Sequence, residues 1–171
     1  FKEFFWSQNG QKNIVKSRLG DRPAFSETIT TDGLTSIIYV SNASTIKYRT
    51  FKKFEKFAQH KDLGPVRKLH KQYGFPEKDF SETYSRFVKA IVGVGSASGN
   101  DIPFGLTTEF ILLTNPYKNK KQNFLKLKLV YEGKPRSDAQ VEIFERSDTG
   151  NVRIATTRTS KNGIVVIPIK T

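Results

Sequence analysis

The stretch that decides the fold is ETYSRFVKAIVGVG, residues 82–95, in which apolar side chains recur at every second position. One predicted face carries Tyr84, Arg86, Val88, Ala90, Val92 and Val94. The opposite face carries Phe87, Lys89 and Ile91. Because successive side chains of a β-strand point to opposite faces, this alternation predicts one long strand. Gly93 and Gly95 indicate a bend or bulge near its end.

Further strand-like segments lie on both sides of this stretch. They are GLTSIIYVSNAS (33–44), LTTEFILLT (106–114), NFLKLKLVY (123–131), AQVEIF (139–144), VRIATTRT (152–159) and GIVVIPI (163–169). Turn signals separate them, including YEGKPRSDAQVEIF (131–144) and the dipeptide Asn162-Gly163, which is typical of a two-residue β-hairpin. Short strands with regular turns predict a mainly β protein built as an antiparallel β-sandwich.

One segment follows a helical period instead. Thr50 is a candidate N-cap, and Phe51, Phe54, Phe57 and Ala58 follow at helical spacing. Gly64-Pro65 ends this helix and opens a second one, whose apolar residues are Val66, Leu69 and Tyr73. The sequence therefore predicts a helical hairpin inserted at about residues 50–74. We expect an N-terminal β domain over residues 1–114 that contains this insert, and a C-terminal sandwich over residues 115–171.

The net charge of +13 is concentrated in two stretches. Residues 47–71 hold nine Lys and Arg against two acidic residues, and residues 118–136 hold seven against one. A localised positive field favours an anionic partner, although lysines on the solvated face of a helix or strand explain the same pattern. The candidate anion-binding residues are Lys52, Lys53, Lys56, Lys126 and Lys128. Nucleic acid is disfavoured, because the aromatic residues near these lysines fall on the predicted core stripe.

The sequence offers little for catalysis, and we predict no catalytic residues and no enzyme activity. It has no cysteine, no phosphate-binding glycine loop and no G-x-S-x-G motif. His60 and His70 are the only histidines and are weak candidates for metal ligands, since two imidazoles are fewer than most metal sites use. Glu82 and Glu109 occupy strand positions where either could act as an acid or base in a cleft.

The favoured interpretation of the strand carboxylates is structural. A basic residue in a strand rich in apolar side chains needs a partner, so we predict that Glu82 or Glu109 pairs with Arg86 or Lys89. No window of the sequence reaches the length and apolarity of a membrane span. Because Phe1 is not an initiator residue, we expect the chain to be a processed or trimmed product.

A succession of motifs resembles a family of bacterial periplasmic domains described as NikM-like, or as periplasmic components of cobalt or nickel transport. The motifs are FSETYSRFVKAIVGVG (80–95), GLTTEFILLTNPY (105–117), LKLKLVYEGKPRSDAQVEIFER (125–146) and RTSKNG (158–163). KFEKFAQHKDLG (53–64) is similar to the family's helical segment. The likeness covers about residues 30–169 and lies in the order of the motifs more than in any one of them.

The resemblance implies a periplasmic or secreted protein whose C-terminal part is similar to transthyretin-like or carboxypeptidase-regulatory-like sandwiches. It implies an accessory role in nickel or cobalt uptake, with membrane components of a transporter as partners. The alternative is a cell-envelope module that binds anionic polymers through its basic faces. The nickel-associated histidine near the mature N-terminus of such proteins has no counterpart here, because no histidine precedes His60. By this resemblance the chain ends at Thr171 before the family's last strand is finished, so we expect either that this member is compact or that segments of the native chain are absent.

Overall fold

The computed structural model of the protein describes residues 1–18, 20–118 and 123–169. The elements in chain order are β1 (Glu3–Gln8), β2 (Gln11–Ile14), β3 (Gly33–Val40), β4 (Ser44–Thr50), α1 (Phe51–His60), α2 (Val66–Gln72), β5 (Lys78–Tyr84), β6 (Phe87–Val94), β7 (Thr108–Leu112), β8 (Phe124–Tyr131), β9 (Lys134–Pro135), β10 (Gln140–Arg146), β11 (Val152–Arg158) and β12 (Ile164–Pro168). The fold is mainly β, with antiparallel sheets and two inserted helices, which confirms the predicted fold class. Neither of these helices has the length and apolarity needed to cross a membrane.

The chain divides into two compact units. The sandwich unit comprises Phe1–Ser41, Arg86–Asp138 and Arg158–Thr171, and the hairpin unit comprises Asn42–Ser85 and Ala139–Thr157. The predicted boundary between residues 114 and 115 does not separate these units. In the sandwich unit β7, which precedes that boundary, pairs with β8, which follows it. Contacts between distant segments, and not position along the chain, therefore define the units.

Two antiparallel sheets form the sandwich unit. One has the strand order β2-β1-β3-β6, and the other has the order β12-β8-β7 with β9 added to β8. The core contains Phe5, Ile38, Val40 and Leu106, and Ile38 is completely inaccessible to solvent. Burying an aliphatic or aromatic side chain of this size contributes about 1.5–3 kcal/mol, so these core residues from β1, β3 and the loop before β7 stabilise the unit.

The predicted long strand at residues 82–95 is two strands that belong to different units. β5 pairs with β4, whereas β6 pairs with β3. In β6 the valine face is the outer one, since Val88 and Val92 are 46% and 42% exposed. The opposite face carries Lys89, whose side chain is only 7% exposed. Alternation identified the two faces correctly, but the charged residue faces the interior because it has partners there.

The hairpin unit is built around a cluster of aromatic rings. The two-stranded sheet of β4 and β5 places Tyr48 opposite Phe80, and their rings stack with centroids 5.5 Å apart. Helix α1 packs Phe51 and Phe54 onto this cluster. Thr50 is the N-cap as predicted, although its side chain makes no capping hydrogen bond. Phe57, predicted on the core stripe, is 37% exposed.

The two predicted hairpins after residue 130 form only in part. Asn162-Gly163 does make a tight turn, in which Gly163 has φ +72° and the Gly163 amide donates to the Ser160 carbonyl. However, β12 pairs with β8, and β11 pairs with β10, so this turn changes sheets instead of closing a hairpin. At the stretch 131–144, β9 returns along β8 for two residues only.

Candidate functional site

A buried cluster of charges lies in the sandwich unit, centred on Lys89 of β6. Its ammonium nitrogen Nζ is 2.8 Å from Asp101 Oδ2 and 2.9 Å from Glu109 Oε1. It also donates to the backbone carbonyl of Ile102 at 2.9 Å. The three charged side chains are between 0% and 7% exposed. Such a group is stable in the interior only when every charge has a partner.

Backbone amides complete the cluster. The Glu109 carboxylate accepts hydrogen bonds from the amides of Phe104, Gly105 and Leu106 at 2.9–3.3 Å. The Asp101 carboxylate accepts from the Leu112 amide at 2.8 Å and from a serine hydroxyl of β3 at 3.3 Å. The cluster contains two carboxylates but only one lysine, and these hydrogen bonds compensate for the surplus negative charge. The cluster therefore joins β3, β6, β7 and the loop before β7, and its polar atoms are already bonded to the protein.

The predicted ion pairs have different outcomes. The structure brings Lys89 and Glu109 together. Glu82, in contrast, lies in β5 of the hairpin unit and accepts a hydrogen bond from the Tyr48 hydroxyl at 2.9 Å. Arg86 lies just before β6, where its backbone amide donates to the Ser41 hydroxyl. Asp101 was missed by sequence reasoning because it lies in the loop SASGNDIPFG, and loop residues are usually solvated.

The two histidines occupy unrelated environments. His70 is buried at 7% exposure, and its Nε2 donates to the Pro76 carbonyl at 2.8 Å. The ring of His70 packs against those of Phe51 and Phe80, with centroids 4.8 and 4.9 Å away. His60 is on the surface, with its Nδ1 3.9 Å from Glu142. Across residues 1–18, 20–118 and 123–169 there is no group of three His, Cys, Asp or Glu that could hold a metal ion.

A groove of about 410 Å³ opens beside α2 in the hairpin unit. Its walls are mainly aromatic and are formed by Phe54, His70, Tyr73, Phe75 and Phe80, among other residues. Tyr73 and Phe75 are 64% and 57% exposed, so two of its walls are open to solvent. Exposed aromatic rings around a concavity of this size are typical of a ligand site.

Glu82 is the one carboxylate among the described residues that line this groove. It is half-buried, and no Lys, Arg or His in the described ranges lies within ion-pair distance of it. Burial, followed by the hydrogen bond to Glu82, raises the pKa of Tyr48 to about 12. The hydrogen bond from the Tyr48 hydroxyl holds the Glu82 side chain in place at the groove.

The predicted anion-binding lysines fall into two groups. Lys52, Lys53 and Lys56 are exposed on α1, whose first turn carries no acidic residue. Lys126 and Lys128 are half-buried in β8, which has strands on both sides. Two further lysines of the same basic stretch, Lys120 and Lys121, lie outside the described residues. The exposed group on α1 is the better candidate for contact with a partner.

A second cavity of about 260 Å³ lies between the two sheets of the sandwich unit. Lys89 and Asp101 reach its wall, and the rest of the lining is mainly apolar, with Ile91, Leu112 and Leu127. Since the charged atoms at this wall are already hydrogen-bonded, the cavity offers a ligand no unpaired charge. The groove beside α2, with Glu82, is chemically the more distinctive of the two.

Comparison with known proteins identifies the chain at the level of the family. No curated protein and no solved structure gives a significant match to it. A family model matches residues 2–171, which is nearly the whole chain. The protein therefore belongs to the family described as "Domain of unknown function (DUF4198)".

Proposed function

We propose that this protein is a non-enzymatic binding module that attaches to an anionic polymer of the cell envelope through the lysines of its helical hairpin. The observation that carries the proposal is the state of five lysines, Lys52, Lys53, Lys56, Lys68 and Lys71. They are all exposed, and none forms an ion pair with a described carboxylate. These five residues are called the hairpin lysine surface below.

The other cations of the hairpin show the contrast. Arg67 donates two hydrogen bonds to Glu55 at 2.6 and 2.7 Å, and Lys61 pairs with Glu142 at 2.8 Å. Those charges are neutralised by neighbouring carboxylates, whereas the charges of the hairpin lysine surface are available to bind an external anion. Grouped cations attract a polyanion over a distance that shortens as salt increases, so binding should be strongly salt-dependent.

The non-enzymatic part of the proposal is supported by the buried cluster. Lys89 and Asp101 are buried charged groups at the wall of the second cavity, and they and Glu109 all have protein partners within hydrogen-bond distance. A general acid or base needs an open position toward its substrate. The bonds of this cluster instead fix the loop before β7 against the sheet.

The test is binding of fluorescently labelled heparin, as the anionic polymer, measured by anisotropy at increasing salt. The test variant carries Lys52→Gln, Lys53→Gln and Lys56→Gln together. We expect the slope of log affinity against log salt to fall by about three, because each removed contact releases about one fewer counterion.

The matched control removes the same amount of charge from the sandwich unit, through Lys2→Gln, Lys16→Gln and Lys161→Gln. These three lysines are also exposed. The control should keep nearly the same salt slope as the parent protein. Equal losses in the two variants would show that only net charge matters, and binding that ignores salt would refute the proposal.

A role in nickel or cobalt uptake remains a separate hypothesis, which only the resemblance supports. The described residues contribute no set of ligands to it, since His60 and His70 lie in different environments. The periplasmic location and the transporter partners likewise stay predictions. Calorimetric titration with Ni²⁺ and Co²⁺ tests this hypothesis, and a saturable heat would favour metal binding.

A further inference from the structure

We propose that the groove beside α2 binds a small organic ammonium ion, with the Glu82 carboxylate against the cationic nitrogen and the aromatic rings around its apolar substituent. This site is distinct from the hairpin lysine surface, and the inference does not depend on polymer binding. It follows from three observations on the groove: its walls, its single carboxylate and the absence of a cation beside that carboxylate in the described residues.

The walls suit the apolar part of such a ligand and also its charge. The rings of Phe54, Phe80 and Phe75 contribute to the lining, together with Tyr73. Aromatic faces carry negative electrostatic potential, so a ring of them attracts alkylammonium groups as well as apolar ones. A volume of about 410 Å³ matches a ligand of the size of a substituted phenylethylamine and is too small for a folded partner.

Glu82 selects the charge of the ligand. The other half-buried carboxylates of this unit have basic partners: Glu55 has Arg67, Glu142 has Lys61 and Glu145 has Arg153. Glu82 has only the Tyr48 hydroxyl, which donates to Oε1. A carboxylate set in an aromatic groove without a cation is costly to desolvate further, unless the group that covers it is itself positive.

Other classes of ligand fit less well. An anion would be repelled by Glu82. A neutral apolar molecule would remove water from the carboxylate without forming a hydrogen bond or an ion pair with it. A metal ion would need further ligands, and the described residues offer no group of three. The lysines of the hairpin lysine surface are exposed, and salt screening over about 8 Å reduces their repulsion of a cation in the groove.

The test uses the full chain and three probes of matched shape: 2-phenylethylammonium, the neutral 2-phenylethanol and the anionic 3-phenylpropanoate. Binding is followed by NMR chemical shifts of the protein. We expect the ammonium ion to bind about tenfold more tightly than the alcohol, and the carboxylate probe not to bind, because a charge-assisted contact adds about that much affinity.

The decisive variant is Glu82→Gln, which keeps an oxygen that can accept from Tyr48 but removes the charge. It should weaken binding of the ammonium ion about tenfold and leave binding of the alcohol unchanged. The matched control is Glu77→Gln, because Glu77 is 54% exposed and follows the groove residue Pro76. Its affinity for the ammonium ion should match that of the parent protein.

A further variant covers the case in which Glu82→Gln does not fold. Tyr73→Leu changes a wall residue that is 64% exposed, so folding should tolerate it, and it should weaken binding of the ammonium ion. The proposal is overturned by equal affinity for the ammonium ion and the alcohol, by equal effects of the two glutamine variants, or by normal binding in Tyr73→Leu. Absence of shifts with all three probes at millimolar concentration would also overturn it.

Discussion

Replacing Lys89 by Met is expected to destabilise the sandwich unit by about 3–5 kcal/mol, which is the usual loss when one partner of a buried ion pair is removed. Methionine keeps the unbranched aliphatic chain, so little packing is lost and the change is mainly electrostatic. Asp101 and Glu109, with side chains 0% and 1% exposed, would remain buried side by side without their cation.

The size of the loss follows from what remains bonded after the substitution. Glu109 keeps its bonds from three backbone amides, and Asp101 keeps the Leu112 amide, so each carboxylate is still partly stabilised. The two negative charges then repel each other in a medium of low dielectric. A loss of this size is a large part of the 5–15 kcal/mol that typically stabilises a domain, so about half of the stability is at stake.

Urea unfolding followed by tryptophan fluorescence measures the effect. Trp6 in β1 is the only tryptophan of the chain, so its signal reports the sandwich unit. With a slope of about 2 kcal/mol per molar urea, the midpoint should fall by about 1.5–2.5 M. The control is Lys12→Met, whose pair with Glu3 joins side chains that are 52% and 43% exposed. Exposed pairs contribute about 0–1 kcal/mol, so its midpoint should move little.

The reasoning fails if Lys89→Met lowers the free energy of unfolding by less than about 1 kcal/mol, or by no more than Lys12→Met does. Either result would mean that water or a rearranged loop replaces the lysine, and that the cluster is not what joins the two sheets.

Three other predictions concern single groups. The Tyr48 phenol should titrate near pH 12 by ultraviolet absorbance, and Glu82→Gln should lower its pKa only in part, because burial is the larger cause. Since this pKa is raised from 10.0 on folding, the stability it contributes is present below pH 10.0 and is lost as pH rises toward about 12. The hydrogen bonds from Arg67 lower the pKa of Glu55, so Arg67→Gln should raise it in an NMR titration. The stabilisation from Glu55 is present above its unfolded pKa and is lost as pH falls through the lowered one. Gly163→Ala should lower the melting temperature for two reasons. Gly163 has φ +72°, which favours glycine, and the added Cβ would lie 2.5 Å from the backbone carbonyl oxygen of Leu129.

Much of the local structure could be predicted from the sequence. The alternation in residues 82–95 and 123–131 identified strands and their two faces, because side-chain direction depends only on the local backbone. The helical spacing of apolar residues, from Phe51 in the first helix and from Val66 in the second, identified both helices of the hairpin for the same reason. The candidate site was harder to predict from the sequence, since the groove is formed by residues that are distant along the chain and meet only in the folded structure.

Pairing is where the prediction went wrong. The turn at Asn162-Gly163 forms, but β12 pairs with β8. A turn fixes the reversal of the backbone, whereas the choice of neighbour depends on which apolar faces can be buried together. The same choice divides residues 82–95 between β5 and β6, so Glu82 and Lys89 belong to strands of different sheets.

By itself, the sequence determined that the chain is mainly β with a helical hairpin, which side chains of a strand share a face and where positive charge accumulates, because these properties depend on neighbours along the chain. Only the tertiary structure decided that Lys89 faces inward to Asp101 and Glu109, and that Glu82 stands in an aromatic groove with the Tyr48 hydroxyl. The physical reason is that the energy of a charge is set by everything within a few ångströms of it, and folding brings those groups from distant parts of the chain.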